Sequence, residues 1–386
     1  MVQASIHERQ YRPDGVVSHP SAIDAALQQI LHRQMEAEVC QALGIDNLSQ
    51  AYESGKLDIL QGHTGTYVVS TMPESQLNRD IHFPVSRAFD VFRRKPVVLK
   101  KAGFSVPDIA EKIEYEARVL STGFQRTNHV VKRVDYVAGE SPIVVMEYVG
   151  SPHYEHMPAG VFSAGQVIQY GQSLITGAYK LARSGIIVQD AKPDNVTFAT
   201  DGSLFSKWID FADARLVGDK REFYFPGTAE WMNPETAGQH LQTLKSLFYT
   251  LTSILYFKVT DENFLLSHLP INGNIYDIYN PNMLQLVQKI HFDPQASNEQ
   301  LRRYCQQNGL HYDQVASFFA WALNPEYSTR FETSDGITTP PNQELTAADM
   351  ERIYDNYIKM LNRAFRPSRR TRLRHKLLAM ASKLVR

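Results

Sequence analysis

Cysteine and long apolar runs are the two features that this sequence has least of. Of its 386 residues only two are cysteine, Cys40 and Cys305, and their wide separation does not form a CxxC pair. This spacing argues against a disulfide framework and favours two reduced thiols in a cytosolic protein. No run of about 18 apolar residues occurs, so no membrane-spanning helix is expected. The polar start, Met1–Glu8, is unlike a secretory signal.

The net charge is also small, at −1, but the charges are unevenly distributed. From Lys359 to Arg386 the chain has ten Lys or Arg and no acidic residue, so residues 1–358 carry a net charge of −11. A basic tail behind an acidic body predicts either an anionic partner or docking of the tail on the body itself.

The stretch Ile186–Leu216 contains the groups that phosphoryl transfer requires. Asp190 is followed by Lys192 and Asn195, and Asp210 comes fifteen residues after the asparagine. A carboxylate can accept a hydroxyl proton, an ammonium can neutralise a transferring phosphate, and the Asn with the second Asp supplies hard oxygens for Mg²⁺. This set predicts a phosphoryl-transfer site.

Five segments, in the same order, resemble the motifs of protein kinases. Val188–Asn195 is similar to the catalytic loop H-R-D-L-K-P-x-N, and Asp210–Ala212 is similar to the metal-binding D-F-G. Gly227–Glu235 resembles the end of an activation segment, Val97–Lys100 the V-A-I-K strand, and Glu116–Leu120 the helix with the ion-pair glutamate. The resemblance implies an α+β, bilobal protein kinase-like fold with a small β-rich N-lobe and a large helical C-lobe.

The resemblance also implies a role for each motif residue. Asp190 would orient and deprotonate the acceptor hydroxyl, Lys192 would lie near the γ-phosphate of ATP, and Asn195 with Asp210 would hold Mg²⁺ or Mn²⁺. A lysine two residues after the catalytic Asp favours Ser or Thr as the acceptor, because tyrosine-specific members of the family differ there. A protein substrate is therefore expected.

The nucleotide would lie against the predicted N-lobe. Strand alternation places Val98 and Lys100 on one face and Lys101 on the other, so Lys100 is the better candidate for contacting the phosphates. Glu116 can lean across the lobe towards it, and Pro142–Gly150 resembles the last strand and the hinge. The residues implied for ATP binding are Lys100, Glu116, Val98, Met146, Glu147 and Val149.

Two stretches compete for the loop that covers the phosphates. They are Gly62–Val68 and Pro84–Phe92, and the second lies just before the Lys100 strand. The second contains no glycine, although backbone amides must approach phosphate closely in such a loop. This departure bears on nucleotide affinity more than on the chemistry.

Four family positions hold other residues here. Val188 and Gln189 replace His and Arg of the catalytic loop, Ala212 replaces a Gly, and Leu247 aligns with a buried Asp. Without the Arg, regulation by a phosphorylated activation loop is not expected. Since the chemical groups remain, the sequence favours an active, atypical kinase over a pseudokinase scaffold. A small-molecule kinase is a third alternative, which Gly227–Glu235 disfavours.

The chain is predicted to divide into residues 1–57, a helical extension; 58–147, the N-lobe; 148–340, the C-lobe; and 341–386, a helical extension with a basic tail. One amphipathic helix is expected in the first part, capped by Ser21 with Asp24 and continuing to Leu43. In the last part, Thr346 with Asp349 predicts a second capping box.

Two further helices and one ion pair are expected inside the lobes. Asp108–Leu120 is predicted to be a helix whose apolar stripe consists of Ile109, Ile113, Ala117 and Leu120, and Ala164–Arg183 is predicted to be a helix that leads into the catalytic loop. Asn324–Arg330 resembles the family segment D-P-x-x-R-P with one extra residue, and this resemblance implies that Arg330 pairs with Glu235 in a buried bridge.

Two basic segments, one in the N-lobe and one in the C-terminal tail, suggest regulation by a polyanion. The tail beyond Pro367 reads as a basic amphipathic helix suited to an anionic membrane, and nucleic acid is a less suitable partner because aromatic residues do not interleave with the charges. We expect an inositol polyphosphate or phosphoinositide to activate the enzyme by binding Arg93–Lys95 or the tail. The tail residues implied are Arg366, Arg369, Arg370, Arg372, Arg374 and Lys376. The protein is expected in the cytosol or at a membrane periphery; as its divergence resembles that of bacterial effector kinases, host cytosol is the corresponding site.

Overall fold

The computed structural model describes residues 20–78, 82–103, 107–121, 127–139, 141–150, 153–218, 227–271, 274–296, 298–332 and 343–367. The chain divides into two compact units, Met1–Gly150 and Ser151–Arg386. Within those described ranges, none of the helices has the length and apolar character needed to cross a membrane.

The first unit begins with three helices, α1 (Pro20–His32), α2 (Glu36–Leu43) and α3 (Leu48–Glu53). The prediction of one continuous helix to Leu43 is therefore wrong. The chain breaks at Gln34, whose φ of 52° is left-handed, and the N–H of Met35 donates to Ile30 O. A left-handed residue with this bond ends a helix, and the break buries Met35 completely. Ser21 lies inside α1 and is not its cap.

Six strands follow and form one antiparallel sheet in the order β1-β2-β3-β4-β6-β5. Their bounds are β1 Leu57–Gln61, β2 Thr66–Ser70, β3 Val85–Asp90, β4 Lys95–Lys101, β5 Arg133–Val137 and β6 Ile143–Glu147. One helix, α4 (Pro107–Val119), lies between β4 and β5 in the chain and buries Ile113 and Ala117, as its predicted apolar stripe requires.

The two faces of the sheet are both covered. One face buries Leu57, Ile59, Val68, Phe89 and Val91 against helices α1 to α3. The other face carries a second cluster, which consists of Leu60, Tyr67, Ala88, Val97, Leu99, Val137, Ile143 and Val145. The N-terminal helices are thus part of the core of this unit.

The sheet curls until its opposite edges meet. Asp135 on β5 accepts hydrogen bonds from the hydroxyl of Tyr67 on β2, at 3.0 Å, and from the N–H of Thr64 in the β1–β2 turn, at 2.8 Å. A Cβ on Gly62 would collide with the Asp135 carboxylate and the Tyr67 ring, so glycine allows the turn to approach both side chains. Burial, together with Asp135, raises the pKa of Tyr67 to about 12, which keeps the hydroxyl a donor.

The second unit is mainly helical. Its elements are β7 Tyr154–His156, α5 Ala164–Arg183, β8 Ile186–Ile187, β9 Val196–Ala199, β10 Ser206–Trp208, β11 Arg215–Leu216, α6 Pro234–Ala237, α7 Leu244–Thr260, α8 Pro281–Val287, α9 Glu299–Asn308, α10 Tyr312–Ala322 and α11 Ala347–Ala364. Helix α5 packs against both α7 and α11, and Gly171 lets Leu255 and Leu361 approach its backbone. The predicted helix Ala164–Arg183 is confirmed at both ends.

Two further predictions for this unit are confirmed. The Thr346 hydroxyl accepts from the Asp349 N–H while the Asp349 carboxylate accepts from Thr346 N–H, which is a complete capping box. Arg330 forms two hydrogen bonds of 2.9 Å with Glu235, and both side chains are buried. The predicted basic helix beyond Pro367 lies outside the described residues.

Candidate active site

Two short antiparallel pairs of strands frame the catalytic-loop segment. Strand β8 precedes it and pairs with β11, and β9 follows it and pairs with β10. Between them the chain makes a 3-10 turn at Pro193–Asn195. The N–H of Ile209 donates to Asn195 O at 3.1 Å, which links the loop to the Asp210 segment.

Asp190 is the centre of a compact group of polar side chains. Its Oδ2 lies 2.9 Å from Lys192 Nζ, and its Oδ1 accepts the hydroxyl of Thr228 at 2.6 Å and the N–H of Thr228 at 3.1 Å. The Asn195 amide donates to Asp190 O at 2.9 Å. The Asp190 side chain is 14% exposed, so a substrate hydroxyl could still reach a carboxylate that is held in one orientation.

Lys192 is fixed as a cation. Burial lowers its pKa, but the carboxylates of Asp190, Asp210 and Asp194 outweigh burial, so the pKa is raised above its ordinary value. Lys192 Nζ also donates to the Thr228 hydroxyl at 3.3 Å. An ammonium that stays charged near neutral pH is suited to neutralising a transferring phosphate.

Asn195 and Asp210 have atoms that could hold a divalent cation. Asn195 is buried and uses its Nδ2 as a donor to Asp190, which leaves Oδ1 as the atom suited to a metal. Asp210 accepts the N–H of Ala212 at 3.2 Å through Oδ1. One amide and one carboxylate match the sparse protein ligation that Mg²⁺ uses when phosphates complete its shell. No larger cluster of His, Cys, Asp or Glu with metal-binding spacing occurs in the described ranges.

Thr228 is the site residue that sequence reasoning passed over. It was recognised only as part of Gly227–Glu235, with no role of its own. The structure brings it to both Asp190 and Lys192, although it lies 38 residues after Asp190. The signal was its place directly after a glycine in a segment expected to position the substrate; Gly227 has a φ of 69° and its carbonyl accepts the hydroxyl of Tyr279.

In the first unit, Lys100 and Glu116 form the predicted ion pair. Lys100 Nζ lies 2.9 Å from Glu116 Oε2, and the two side chains are 5% and 0% exposed. The prediction that Glu116 leans towards Lys100 is confirmed. The ring of Phe83, just before β3, is 5.5 Å from the same ammonium.

The other residues predicted for nucleotide binding lie on β4, on β6 and after it. Val98 is directly opposite Met146 in the register of β4 and β6, so their side chains share the face that carries Lys100. Glu147 ends β6, and its carboxylate accepts the N–H of Lys132 at 2.8 Å. Val149 follows β6 and is half-buried. Their contact with adenine stays a prediction.

Neither stretch predicted to cover the phosphates forms a loop beside Lys100. Pro84–Phe92 is wrong because Val85–Asp90 is strand β3, whose Val85 is directly opposite Lys100. Gly62–Val68 is wrong because it forms the β1–β2 turn and the start of β2, and Thr66 pairs with Val91 at the other end of the sheet. The segment that enters β3 at the Lys100 end comes from Thr71–Pro84. The register between β3 and β4, which cannot be read from the sequence, determines which segment lies next to Lys100.

The N-lobe candidate for polyanion binding has acidic neighbours. Arg93 pairs with the buried carboxylate of Asp90 at 2.6 Å, and Arg94 pairs with Glu38 on α2. Lys95 is exposed. Of the tail candidates only Arg366 is described, and it is exposed; Arg369, Arg370, Arg372, Arg374 and Lys376 lie outside the described residues.

The substituted family positions are buried. Val188, Gln189, Ala212 and Leu247 are each less than a tenth exposed. Within the described part of the chain, Gln189 Oε1 has no hydrogen-bond donor. Val188 and Leu247 therefore place apolar side chains where the family has a polar His and Asp.

Comparison with known proteins agrees with this geometry. The family model for the protein kinase domain matches residues 84–340. The serine/threonine-protein kinase pkn2 of Myxococcus xanthus is 30% identical over 177 residues, which are 43% of this chain and 20% of that protein. PknB of Mycobacterium leprae is 27% identical over 232 residues, 58% of this chain and 35% of that protein. The chain thus spans about a third or less of these relatives. It belongs to the protein kinase domain family.

Proposed function

We propose that this chain transfers the γ-phosphate of ATP to a serine or threonine hydroxyl of a protein. The observation that carries the proposal is the bonded group of Asp190, Lys192 and Thr228. In the reaction, the acceptor oxygen bonds to the γ-phosphorus and the bond from that phosphorus to the bridging oxygen breaks. The hydroxyl proton passes to Asp190, and ADP leaves.

Each residue of the group has a distinct part in this step. Thr228 holds one oxygen of Asp190 with two donors, so that the carboxylate meets the acceptor in a fixed orientation. Lys192 offsets the negative charge of the phosphoryl group. Bound Mg²⁺ or Mn²⁺ would supply further positive charge to the phosphate oxygens, with Asn195 and Asp210 to hold it.

Serine or threonine specificity has two supports. Lys192 follows Asp190 by two residues, a position where tyrosine-specific members of the family differ, and its Nζ donates to the Thr228 hydroxyl. The relatives from Myxococcus xanthus and Mycobacterium leprae are named serine/threonine-protein kinases. Phosphoamino acid analysis of the labelled product tests this specificity.

The activity is tested by transfer of radiolabel from γ-labelled ATP with Mg²⁺ or Mn²⁺. Wild-type chain should label itself or a protein such as casein, whereas Asp190→Ala and Asp210→Ala should reduce labelling by about a thousandfold or more. Asp201→Ala is the matched control, because Asp201 is an exposed carboxylate in the β9–β10 turn. Equal labelling by all four proteins would exclude the proposed roles.

A pseudokinase that only binds partners is the second candidate. The absence of glycine from Thr71–Pro84, the segment that enters β3 at the Lys100 end, favours it, together with Leu247. Metal-dependent nucleotide binding by the wild-type chain, without transfer to any acceptor, would select this alternative.

Regulation by a polyanion is proposed on the basic composition of the tail and on Lys95, since Arg93 and Arg94 already have acidic partners. Soluble inositol polyphosphate should raise the rate of the full chain but not of a chain ending at Pro367. If the polyanion leaves the kinase rate of both the full chain and the truncated chain unchanged, regulation by a polyanion is excluded. A cytosolic or membrane-peripheral location, or host cytosol for a bacterial effector, is proposed on the same sequence grounds and is tested by fractionation.

A further inference from the structure

The chain enters β3 through a loop whose two arms are described. The first arm, Gln76–Asn78, pairs with β3: Gln76 bridges to Ser86, and the N–H of Leu77 donates to Val85 O at 2.8 Å. The second arm, His82–Pro84, leads directly into β3. Because Val85 is opposite Lys100, both arms lie at the Lys100 end of the sheet.

One side chain joins the two arms. Asn78 Oδ1 accepts the N–H of Val85 at 2.9 Å, and Asn78 Nδ2 donates to Phe83 O at 2.9 Å. A side-chain amide has one acceptor and two donors in a plane, so it can substitute for a paired peptide group. The Asn78 amide therefore joins the two arms with one accepted and one donated hydrogen bond, as one more pair of backbone groups would do.

The second arm is also fastened to the strand that carries Lys100. Pro84 O accepts the N–H of Lys101 at 3.2 Å, and His82 O accepts the N–H of Gly103 at 2.8 Å. Phe83 lies between these two bonds, and its ring centre is 5.5 Å from Lys100 Nζ. An ammonium within about 6 Å of an aromatic face is attracted by the ring. Lys100 thus makes a cation–π contact with the Phe83 ring and an ion pair with the Glu116 carboxylate.

We propose that Asn78 and Phe83 are positioning residues for nucleotide binding: Asn78 fixes the Phe83 backbone, and the Phe83 ring fixes Lys100 for the ATP phosphates. This inference rests on the proposed function, because it assumes that Lys100 meets ATP. Fixed side-chain bonds here replace the conformational freedom of glycine. The entropic cost of ordering the two described arms is met on folding and not on binding.

The test is equilibrium binding of a fluorescent ATP analogue with Mg²⁺ to the full chain. Asn78→Ala and Asn78→Asp each remove the donor to Phe83 O, and we expect the Kd to rise by about tenfold. Phe83→Leu keeps apolar bulk but loses the ring, and should raise the Kd by about fivefold, whereas Phe83→Tyr keeps the ring and should change it by less than about twofold.

Asn47→Ala is the matched control. Asn47 also uses a side-chain oxygen to accept a backbone N–H, that of Gln50 at 2.9 Å, in the same unit of the chain. It caps helix α3, so its loss should lower thermal stability about as much as loss of Asn78. Its Kd for the nucleotide should not change. If the role of Asn78 is merely structural, Asn78→Ala and Asn47→Ala should have the same Kd for the nucleotide. That result would overturn this inference but not the proposed function.

A measurement without nucleotide separates this inference from the proposed function. Acylation of Lys100 by acetic anhydride, followed by mass spectrometry, reports how the ring and Glu116 shield this buried side chain, which is 5% exposed. Phe83→Leu and Asn78→Ala should raise its labelling rate by about threefold or more relative to Asn47→Ala, and Phe83→Tyr should not. Unchanged labelling overturns the positioning role. If the wild-type chain binds no nucleotide but the labelling of Lys100 changes as expected, the proposed function and the role of Asn78 and Phe83 in nucleotide binding are overturned. The contact between Phe83 and Lys100 is then still supported.

Discussion

The two units of the chain hold their candidate site residues by different means. In Ser151–Arg386, Asp190, Lys192 and Asn195 come from one short loop and bond to one another, and Thr228 joins them from a distant part of the chain. In Met1–Gly150, Lys100 depends on Glu116 from a helix and on Phe83 from a loop, and no two of these three lie within 15 residues of each other.

This difference explains which family features the chain could change. A loop whose own side chains bond together tolerates new residues at the supporting positions, and Val188, Gln189 and Leu247 are such replacements, all buried. A lysine held from several elements depends on the backbone register that brings them together. Near Lys100, the Asn78 amide joins two chain segments by hydrogen bonds to Phe83 O and Val85 N–H.

The largest effect should come from breaking the buried bridge of the second unit. Glu235→Ala leaves Arg330 fully buried without its carboxylate, which typically costs about 3–5 kcal/mol. All three tryptophans, Trp208, Trp231 and Trp321, belong to Ser151–Arg386, so tryptophan fluorescence in urea follows this unit specifically. Glu299→Ala breaks an exposed pair with Arg303 and serves as the control, with an expected loss of at most about 0.5 kcal/mol. Similar losses for both variants would contradict the structural role of Glu235.

The next largest effect is expected on kcat, when the hydrogen bond between Thr228 and Asp190 is removed. Thr228→Val removes the hydroxyl that donates to Asp190 but keeps the backbone donor, so kcat should fall by about ten- to hundredfold, the worth of a hydrogen bond to a charged group. Thr228→Ser should retain most of the activity. The midpoint in urea, followed by tryptophan fluorescence, controls for unfolding. A valine variant with wild-type kcat would remove Thr228 from the mechanism.

The sequence predicted best what depends on short, local patterns. Helix α5 was expected at Ala164–Arg183 and is there, because Ser163 with Gln166 forms a capping box and an apolar stripe follows. The pairs Lys100–Glu116 and Glu235–Arg330 followed from motifs with fixed roles, although their members are far apart in the chain. The helical cap at Thr346 was a local signal of the same kind.

The failures share a physical cause, which is dependence on backbone geometry that residue types do not reveal. The phosphate loop was misplaced because a hairpin register, with Val85 opposite Lys100, decides which turn lies near the lysine. The N-terminal helix was predicted as one because its apolar spacing continues through Gln34, where the backbone turns left-handed. Thr228 was overlooked because its role comes only from folding 38 residues back onto Asp190.

A third prediction concerns Lys245, a fully buried lysine of the second unit. Lys245 Nζ lies 2.9 Å from Glu332 and donates to Tyr327 O at 3.2 Å. Burial, with the nearby guanidinium groups of Arg330 and Arg352, outweighs the carboxylates of Asp349 and Glu235 and lowers the pKa of Lys245 to about 8. The unfolded chain, with an ordinary lysine pKa of 10.5, binds more protons between pH 8 and 10.5, so stability rises with pH in this window.

We therefore expect wild-type chain to gain about 2 kcal/mol between pH 7 and 9.5 relative to Lys245→Met. Urea midpoints at several pH values measure this difference. Cys305, whose pKa burial raises to about 11, destabilises the folded state above pH 9, but it does so in both proteins and cancels. Parallel pH profiles for the two proteins would show that Lys245 keeps an ordinary pKa.

The smallest effect concerns how the N-terminal helices are attached to the sheet of the first unit. Arg94, in the β3–β4 turn, pairs with Glu38 on α2, and each side chain is almost half exposed, at 46% and 45%. Exposed pairs contribute about 0.2–1 kcal/mol and are screened by salt, so a double-mutant cycle of Glu38→Ala with Arg94→Ala should give a coupling in that range that vanishes in 1 M NaCl. Hydrogen exchange of the α2 amides measures the local stability. Met35→Ala, which empties a fully buried position in the same cluster, should cost about 2–5 kcal/mol and serves as the opposite control. A coupling as large as the Met35 effect would mean that charge, and not the apolar face of Phe89 and Val91, holds these helices in place.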